Sequence, residues 1–163
     1  MLQCAMVSPH LSHLPSREAT YILSCSGSVR YVGITNNLQK RIQQHKCDNQ
    51  RVNFDKSTLL HWFPVRDKGL EKELQRHLRP TLGTISIYQS LAALPLIFRD
   101  YYLKCIDREI DSIPDSFVDS FPYFERIAAH WKLIAHNCPS EENKAQWQEW
   151  ERKKGLMRGL AKA

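Results

Sequence analysis

The stretch TYILSCSGSVRYVGITNNLQKRIQQH, residues 20–45, constrains the fold more than any other part of the chain. Two β-rich runs, TYILSC and VRYVGI, flank Ser-Gly-Ser, which reads as a hairpin. NNLQKRIQQHK then follows as a helix. Asn36 is its expected N-cap, with Gln39 at the third helical position, a capping-box arrangement that satisfies otherwise unpaired backbone donors. After the polar loop CDNQRVNFDKS come a third strand, TLLHWFPV, ended near Pro64, and a second helix, KGLEKELQRHL, stopped by Pro80. The order β-β-α-β-α makes a complete small α+β layer.

Beyond residue 83 the pattern turns helical. SLAALPLIFRDYYLKCIDREI has Leu91, Leu94, Phe98, Tyr101, Cys105 and Ile106 near helical period, with Pro95 either kinking or starting the helix. YFERIAAHWKLIAHN places Phe124, Ile127, Trp131 and Ile134 on one stripe and ends at Asn137-Cys138-Pro139. The last segment starts well at Ser140 and loses helix preference at Gly155 and Gly159, so its end is expected to fray. The expected division is therefore 14–85 for the α+β layer and 86–163 for a helical extension.

A chain of 163 residues has room for one ordinary domain, or a small domain with an appendage. With 42% hydrophobic and 25% charged residues it is globular, and no run approaches the ~18 apolar residues of a membrane span. No basic residue precedes Arg17, and Pro9 and Pro15 interrupt any apolar stretch, a poor secretory signal. The expected compartment is the cytoplasm, with nucleoid association if the source is bacterial. Cys4, Cys25, Cys47, Cys105 and Cys138 are scattered, without a C-x-x-C, and read as reduced thiols. The net charge of +6 is uneven: residues 17–82 hold 12 Lys and Arg against 6 Asp and Glu, residues 83–150 hold 6 against 10, and residues 151–163 hold 5 against 1. A basic front suits an anionic partner such as nucleic acid, although a charge excess alone is more often a solvated face.

On the first helix Leu38 and Ile42 define the apolar stripe, with His45 at its edge and Arg41 beside it. An Arg fork and an imidazole one turn apart at a core margin could hold a phosphate, yet the helix by itself favours a surface Arg and a half-buried His. On the second helix Leu70, Leu74 and Leu78 form the stripe and Glu71 lies on its flank. A carboxylate there would suit a hard divalent cation, which needs only one or two protein carboxylates. The plainer account makes Glu71 an i,i+4 partner of Gln75. Tyr21 and Tyr31 lie on adjacent hairpin strands. Their phenols titrate near pH ~10, too high for a base unless a metal or an Arg lowers them.

Taken together, these residues resemble the GIY-YIG nuclease family. ATY at 19–21 and YVG at 31–33 occupy the places of the two triplets, YVGITNNLQKRIQQH is similar to the family's Y-[IV]-G-x-[TA]-x-[ND]-L-x-x-R-x-x-x-H, and LEKELQRHLRP resembles its glutamate helix followed by proline. The resemblance covers residues 14–85 and implies a small three-stranded antiparallel sheet flanked by helices, carrying a divalent-metal-dependent endonuclease that hydrolyses DNA phosphodiester bonds, of mobile-element, restriction or repair type. It implies that Glu71 holds a single Mg²⁺ or Mn²⁺, that Tyr31 or Tyr21 helps deprotonate the attacking water, that Arg41 stabilises transition-state charge, and that His45 positions water or phosphate. Gly33 would let the backbone pass close to the helix or the substrate. Two departures stand out: Ala19 and Thr20 replace the first triplet's glycine and isoleucine, and Gly83 stands where the family often has an asparagine.

The implied partner is DNA, duplex or branched, with Arg30, Lys40, Lys46 and Lys68 as candidate contacts and no membrane involved. The basic tail ERKKGLMRGLAKA, with Arg152, Lys153 and Lys154 after Trp147 and Trp150, could track a phosphate backbone, or it could be a helix with both tryptophans packed on the core. The acidic middle would repel DNA and suits a protein partner or a solvated face. The alternative from another class is a catalytically weak or inactive nucleic-acid-binding module within a larger assembly, with Gly83 marking lost activity. A single site cuts one strand, so a double-strand cut would need a dimer or two events.

Overall fold

The computed structural model describes residues 1–6, 13–48, 54 and 57–160. Most of the polar loop expected after the first helix, and the last three residues of the tail, lie outside them. In chain order the elements are β1 (Gln3–Met6), β2 (Ala19–Cys25), β3 (Ser28–Thr35), α1 (Leu38–Cys47), β4 (Leu59–Phe63), α2 (Lys68–Leu78), α3 (Ile87–Ser90), α4 (Ala93–Asp111), α5 (Phe117–Asn137) and α6 (Glu141–Leu160). The chain divides into two compact units, Met1–Ile97 and Phe98–Ala163. It has an α+β fold: an antiparallel sheet with helices, then a helical C-terminal region.

The N-terminal unit is built on a sheet of four strands in the order β1-β4-β2-β3, one more than the three expected. The extra strand, β1, pairs antiparallel with β4 from Gln3↔Trp62 to Met6↔Leu59. QCAM has no β-branched residue, so it gave no local signal; the open edge of β4 makes it a strand. Central β2 is buried at every position, as a strand covered on both faces must be. Its Ala19, Tyr21, Leu23 and Cys25 join Leu60 and Trp62 of β4 and Leu38 and Ile42 of α1 in one core cluster. The alternate residues, Ile22, Val32 and Phe63 among them, face the other way, and α2 packs on β3 and β2.

The hairpin closes through a two-residue turn, Ser26 and Gly27, both at positive φ (50° and 76°), the turn whose twist matches paired strands. α1 is capped by Asn37 rather than Asn36: its side chain accepts from the Lys40 amide at 2.9 Å. Lys40 therefore holds the third helical position, no capping box forms, and Gln39 instead accepts from the Ser16 hydroxyl. α2 begins at Asp67, whose carboxylate accepts from the Gly69 and Leu70 amides, and its Leu70, Leu74 and Leu78 are buried as their spacing predicts. It ends in Arg79, left-handed at φ 43°, immediately before Pro80.

In the C-terminal unit Phe98, Tyr102 and Ile106 of α4 are buried, with Ile127, Ala128 and Ile134 of α5. The expected stripe ran through Tyr101; steps of four select Tyr102 instead and leave Tyr101 half-buried. Pro95 opens α4 within its first turn, where its missing N–H has no intrahelical partner. α5 starts at Phe117, earlier than its sequence suggested, and carries Pro122 internally at the cost of one backbone bond. Ser140 accepts from the Asn143 amide at the start of α6. Contrary to the expected fraying, α6 runs through Gly155 and Gly159 to Leu160, because packing on α5 outweighs propensity: Trp150 meets Phe124, Trp147 meets His136, and Arg158 bonds Glu125. No described helix is long and apolar enough to cross a membrane. None of the five cysteines, all among the described residues, forms a disulfide.

Candidate active site

Register places the first of the site residues. Tyr21 on β2 lies directly opposite Gly33 on β3, and Tyr31, two residues before Gly33, shares its face. α1 covers that face, and its i,i+4 spacing brings Arg41 and His45 to the same end of it. The Tyr21 hydroxyl and His45 Nε2 share a hydrogen bond of 2.7 Å, and Arg41 Nε donates to the same hydroxyl at 3.3 Å. Tyr31 stacks on Tyr21 with ring centroids 5.8 Å apart and meets His45 edge-on at 4.7 Å. Four of the five expected catalytic side chains thus form one contiguous cluster.

Gly33 is what lets the phenols pack. A Cβ there would stand 2.6 Å from Tyr31 Cε1 and 2.9 Å from the Tyr21 hydroxyl. The expectation that Gly33 makes room for the helix or the substrate is therefore revised: its neighbours are the two tyrosine rings.

The two phenols differ. Tyr21 is fully buried, and burial pushes its pKa far above the ordinary phenol value despite the opposing effect of Arg41, so it stays protonated. Tyr31 is half-buried and reaches solvent. Hydrogen bonds to Tyr21 and Tyr31 raise the pKa of Arg41. Arg41 Nη1 also donates to Gln44 Oε1 at 3.3 Å, and among the described residues no carboxylate pairs with it. A fixed guanidinium with neutral partners keeps its whole charge for an incoming anion.

Glu71 does not touch this cluster. It lies half-buried in the first turn of α2 and accepts weakly from Gln75 Nε2 at 3.5 Å, the i,i+4 partnership of the plainer reading. The same amide nitrogen donates to the Val32 carbonyl at 3.3 Å, so the carboxylate stands one amide away from the backbone between Tyr31 and Gly33. β3 is an edge strand, and Gln75 satisfies one of its outward carbonyls. The second carboxylate oxygen has no protein partner among the described residues, and no group of three or more His, Cys, Asp or Glu forms there. One half-buried, unpaired carboxylate fits a hard divalent cation that completes its shell with water and phosphate.

Three residues escaped the sequence reading. Gln75 was visible only as a partner of Glu71. Thr20, a departure from the family pattern, accepts from the Asp67 amide at 3.3 Å and donates to the Val65 carbonyl at 2.7 Å, which ties β2 to the entry of α2. Arg79 had no local signal.

The candidate nucleic-acid contacts are spread over both units. Arg30 is exposed on β3, Lys40 is exposed on α1, Lys46 lies half-buried in its last turn, and Lys68 opens α2. On α6 Arg152 and Lys153 both bond Glu149, and Lys154 bonds Glu151. Trp147 and Trp150 are half-buried against α5, as in the packed-helix reading of the tail.

Residues 18–83 match the family model of the GIY-YIG catalytic domain. No curated protein and no solved structure shows significant similarity to the chain.

Proposed function

Starting from a GIY-YIG catalytic domain at residues 18–83, which implies nuclease activity on a nucleic acid, we propose that the protein is a divalent-metal-dependent endonuclease that hydrolyses DNA phosphodiester bonds. The observation that carries this reading is the joint bonding of Arg41 and His45 to the Tyr21 hydroxyl, with Tyr31 stacked alongside. Tyr21, buried and protonated, is the anchor that fixes the other two side chains. Arg41, held by neutral partners, meets the negative charge that grows on the phosphoryl oxygens, where fixed donors act without reorganisation. Tyr31 is the phenol within reach of solvent; once its own proton has passed to solvent, its phenolate oxygen would take a proton from the attacking water. His45 sets the orientation of the cluster through Tyr21.

Glu71 would hold Mg²⁺ or Mn²⁺, with Gln75 fixing the carboxylate. The bound cation would supply Lewis-acid polarisation of the scissile phosphate.

The test is cleavage of supercoiled plasmid and of a branched oligonucleotide in Mg²⁺ or Mn²⁺, with Glu71→Ala as control. The unaltered chain is expected to cut. Glu71→Ala is expected to lose cleavage while binding DNA at least as tightly, since a carboxylate beside a phosphate repels it. Cleavage that survives in Glu71→Ala would remove the metal assignment. An unaltered chain that binds DNA and cuts no substrate would favour the binding-module alternative.

A further inference from the structure

Beside Tyr31 the N-terminal unit has a groove of about 550 Å³ between the β3 edge and the C-terminal half of α2. Arg30, Tyr31, Gln75, Arg76, Arg79 and Leu82 line it, and among the described residues no carboxylate does. We propose that this groove binds a phosphate of the substrate strand next to the one cut, held by the guanidinium groups of Arg30 and Arg79. The proposal rests on the nuclease reading and gives that site a second, flanking anchor.

Three independent features support it. First, the arginines are not equivalent. Arg76 is tied bidentately to Glu73 at 2.7 and 3.3 Å, whereas among the described residues neither Arg30 nor Arg79 has an acidic partner. Two planar forks without carboxylates suit phosphate oxygens.

Second, both arginines sit on irregular backbone. The β2–β3 register runs from Leu23↔Tyr31 to Ser24↔Val29, so Arg30 is the extra residue of a β-bulge, a device that re-aims a side chain at a strand edge. Arg79 holds the left-handed cap of α2, where its amide bonds the Gln75 carbonyl, a conformation uncommon for a residue other than glycine. Neither side chain is buried, so both guanidinium groups are open to the groove.

Third, the wall behind Arg30 is fixed. The Leu82 amide bonds the Arg79 carbonyl at 3.0 Å, the Val29 amide bonds Ile85 O at 2.9 Å, and the Ile87 amide bonds Gly27 O at 2.8 Å. Gly83, at φ 59°, lies against the Arg30 guanidinium, whose Cζ is 3.2 Å from where a Cβ would stand. A larger residue at 83 would push Arg30 out of its place. Because Tyr31 belongs to both the cluster and the groove wall, a strand cut at the cluster continues into the groove.

The experiment follows binding of a duplex oligonucleotide in EDTA, by anisotropy, against NaCl concentration. The probe protein is the intact chain, compared with Arg30→Gln/Arg79→Gly and with Arg76→Gln. Glycine is at ease at the left-handed position, so the double variant is expected to fold, which circular dichroism checks. Removing the two phosphate-binding cations should lower the slope of log K against log [salt] by about 2, roughly 1 for each, and weaken low-salt binding at least about tenfold. Arg76→Gln should leave the slope unchanged. In Mg²⁺ the double variant should raise KM with kcat within a few-fold.

An unchanged slope in the double variant, an equal drop in Arg76→Gln, or a collapse of kcat at constant KM would each overturn the groove assignment. If the unaltered chain still cuts in that case, the nuclease reading stands without the groove. An unaltered chain that neither binds nor cuts removes both.

Discussion

Arg30 and Arg79 in the N-terminal unit reach solvent with no acidic partner among the described residues, and Arg41 is held by a phenol and an amide oxygen. In the C-terminal unit Arg152, Lys153, Lys154 and Arg158 each hold a glutamate. In the sequence residues 17–82 carry a net charge of +6 and the tail, residues 151–163, a net charge of +4. The difference is spacing. Glu149 and Glu151 precede their cations by three or four residues on one helix, so the pairs close locally, and Lys153 also covers the Trp150 ring at 4.5 Å. Arg30, Arg79 and Arg41 come from a bulge, a helix cap and a helix flank, where no acid falls at that spacing, unlike Arg76 with its Glu73. A charge count tells how many cations there are; their partners tell which of them are free to meet a phosphate.

Within this comparison the largest effect is expected at Gly33, on which the neutral partnership of Arg41 depends. In Gly33→Ala the new methyl collides with both phenols, and Arg41 and His45 lose the hydroxyl that holds them. Turnover should fall about 10²-fold, the scale of a roughly 1 Å misplacement of catalytic groups. Overpacking should destabilise the fold by about 1–3 kcal/mol. Plasmid cleavage and urea unfolding measure the two effects. A folded Gly33→Ala that keeps full turnover would show that an arginine anchored on phenols has no part in the chemistry.

Periodicity put Arg41 and His45 one turn apart at the margin of the apolar stripe of α1, yet alone it favoured a surface Arg and a half-buried His. The resemblance is what gathered them with Tyr21 and Tyr31 into one site. Leu70, Leu74 and Leu78 fixed the buried face of α2 and left Glu71 on its flank. What was not legible depends on contacts distant in sequence. β1 exists because β4 has an open edge. Thr20 matters because it meets Val65 and Asp67, far along the chain. The extent of α6 depends on α5, which no propensity scale sees. The Arg30 bulge is set by how β2 and β3 register, and a single strand read alone does not reveal it.

A smaller effect tests the C-terminal side of the comparison. Arg152→Gln/Lys153→Gln/Lys154→Gln removes three cations, more than the groove variant removes. Because all three are engaged by glutamates, the salt slope of DNA binding should change by less than about 1, against about 2 for Arg30→Gln/Arg79→Gly. A fall of about 3 would mean that local ion pairs do not silence basic side chains here, and that the tail is a phosphate track after all.

An effect of similar small size, opposite in sign, comes from turning the paired region into an unpaired one. Glu149 serves both Arg152 and Lys153, and the hydrogen bond from Arg152 is the main cause that lowers its pKa. Its carboxylate is therefore charged at neutral pH, and whatever it adds to stability is present above the ordinary carboxylate pKa and lost as pH falls through the lowered value. Glu149→Gln removes that dependence. The thermal midpoint should move little, since exposed ion pairs contribute little. The informative reading is DNA binding: with two cations released, low-salt affinity should rise a few-fold and the salt slope should steepen by up to about 1. A tighter, steeper isotherm would show that pairing alone keeps α6 from nucleic acid. An unchanged one would mean that α6 stays away from the strand whatever its charge, which leaves binding to the cations of the N-terminal unit.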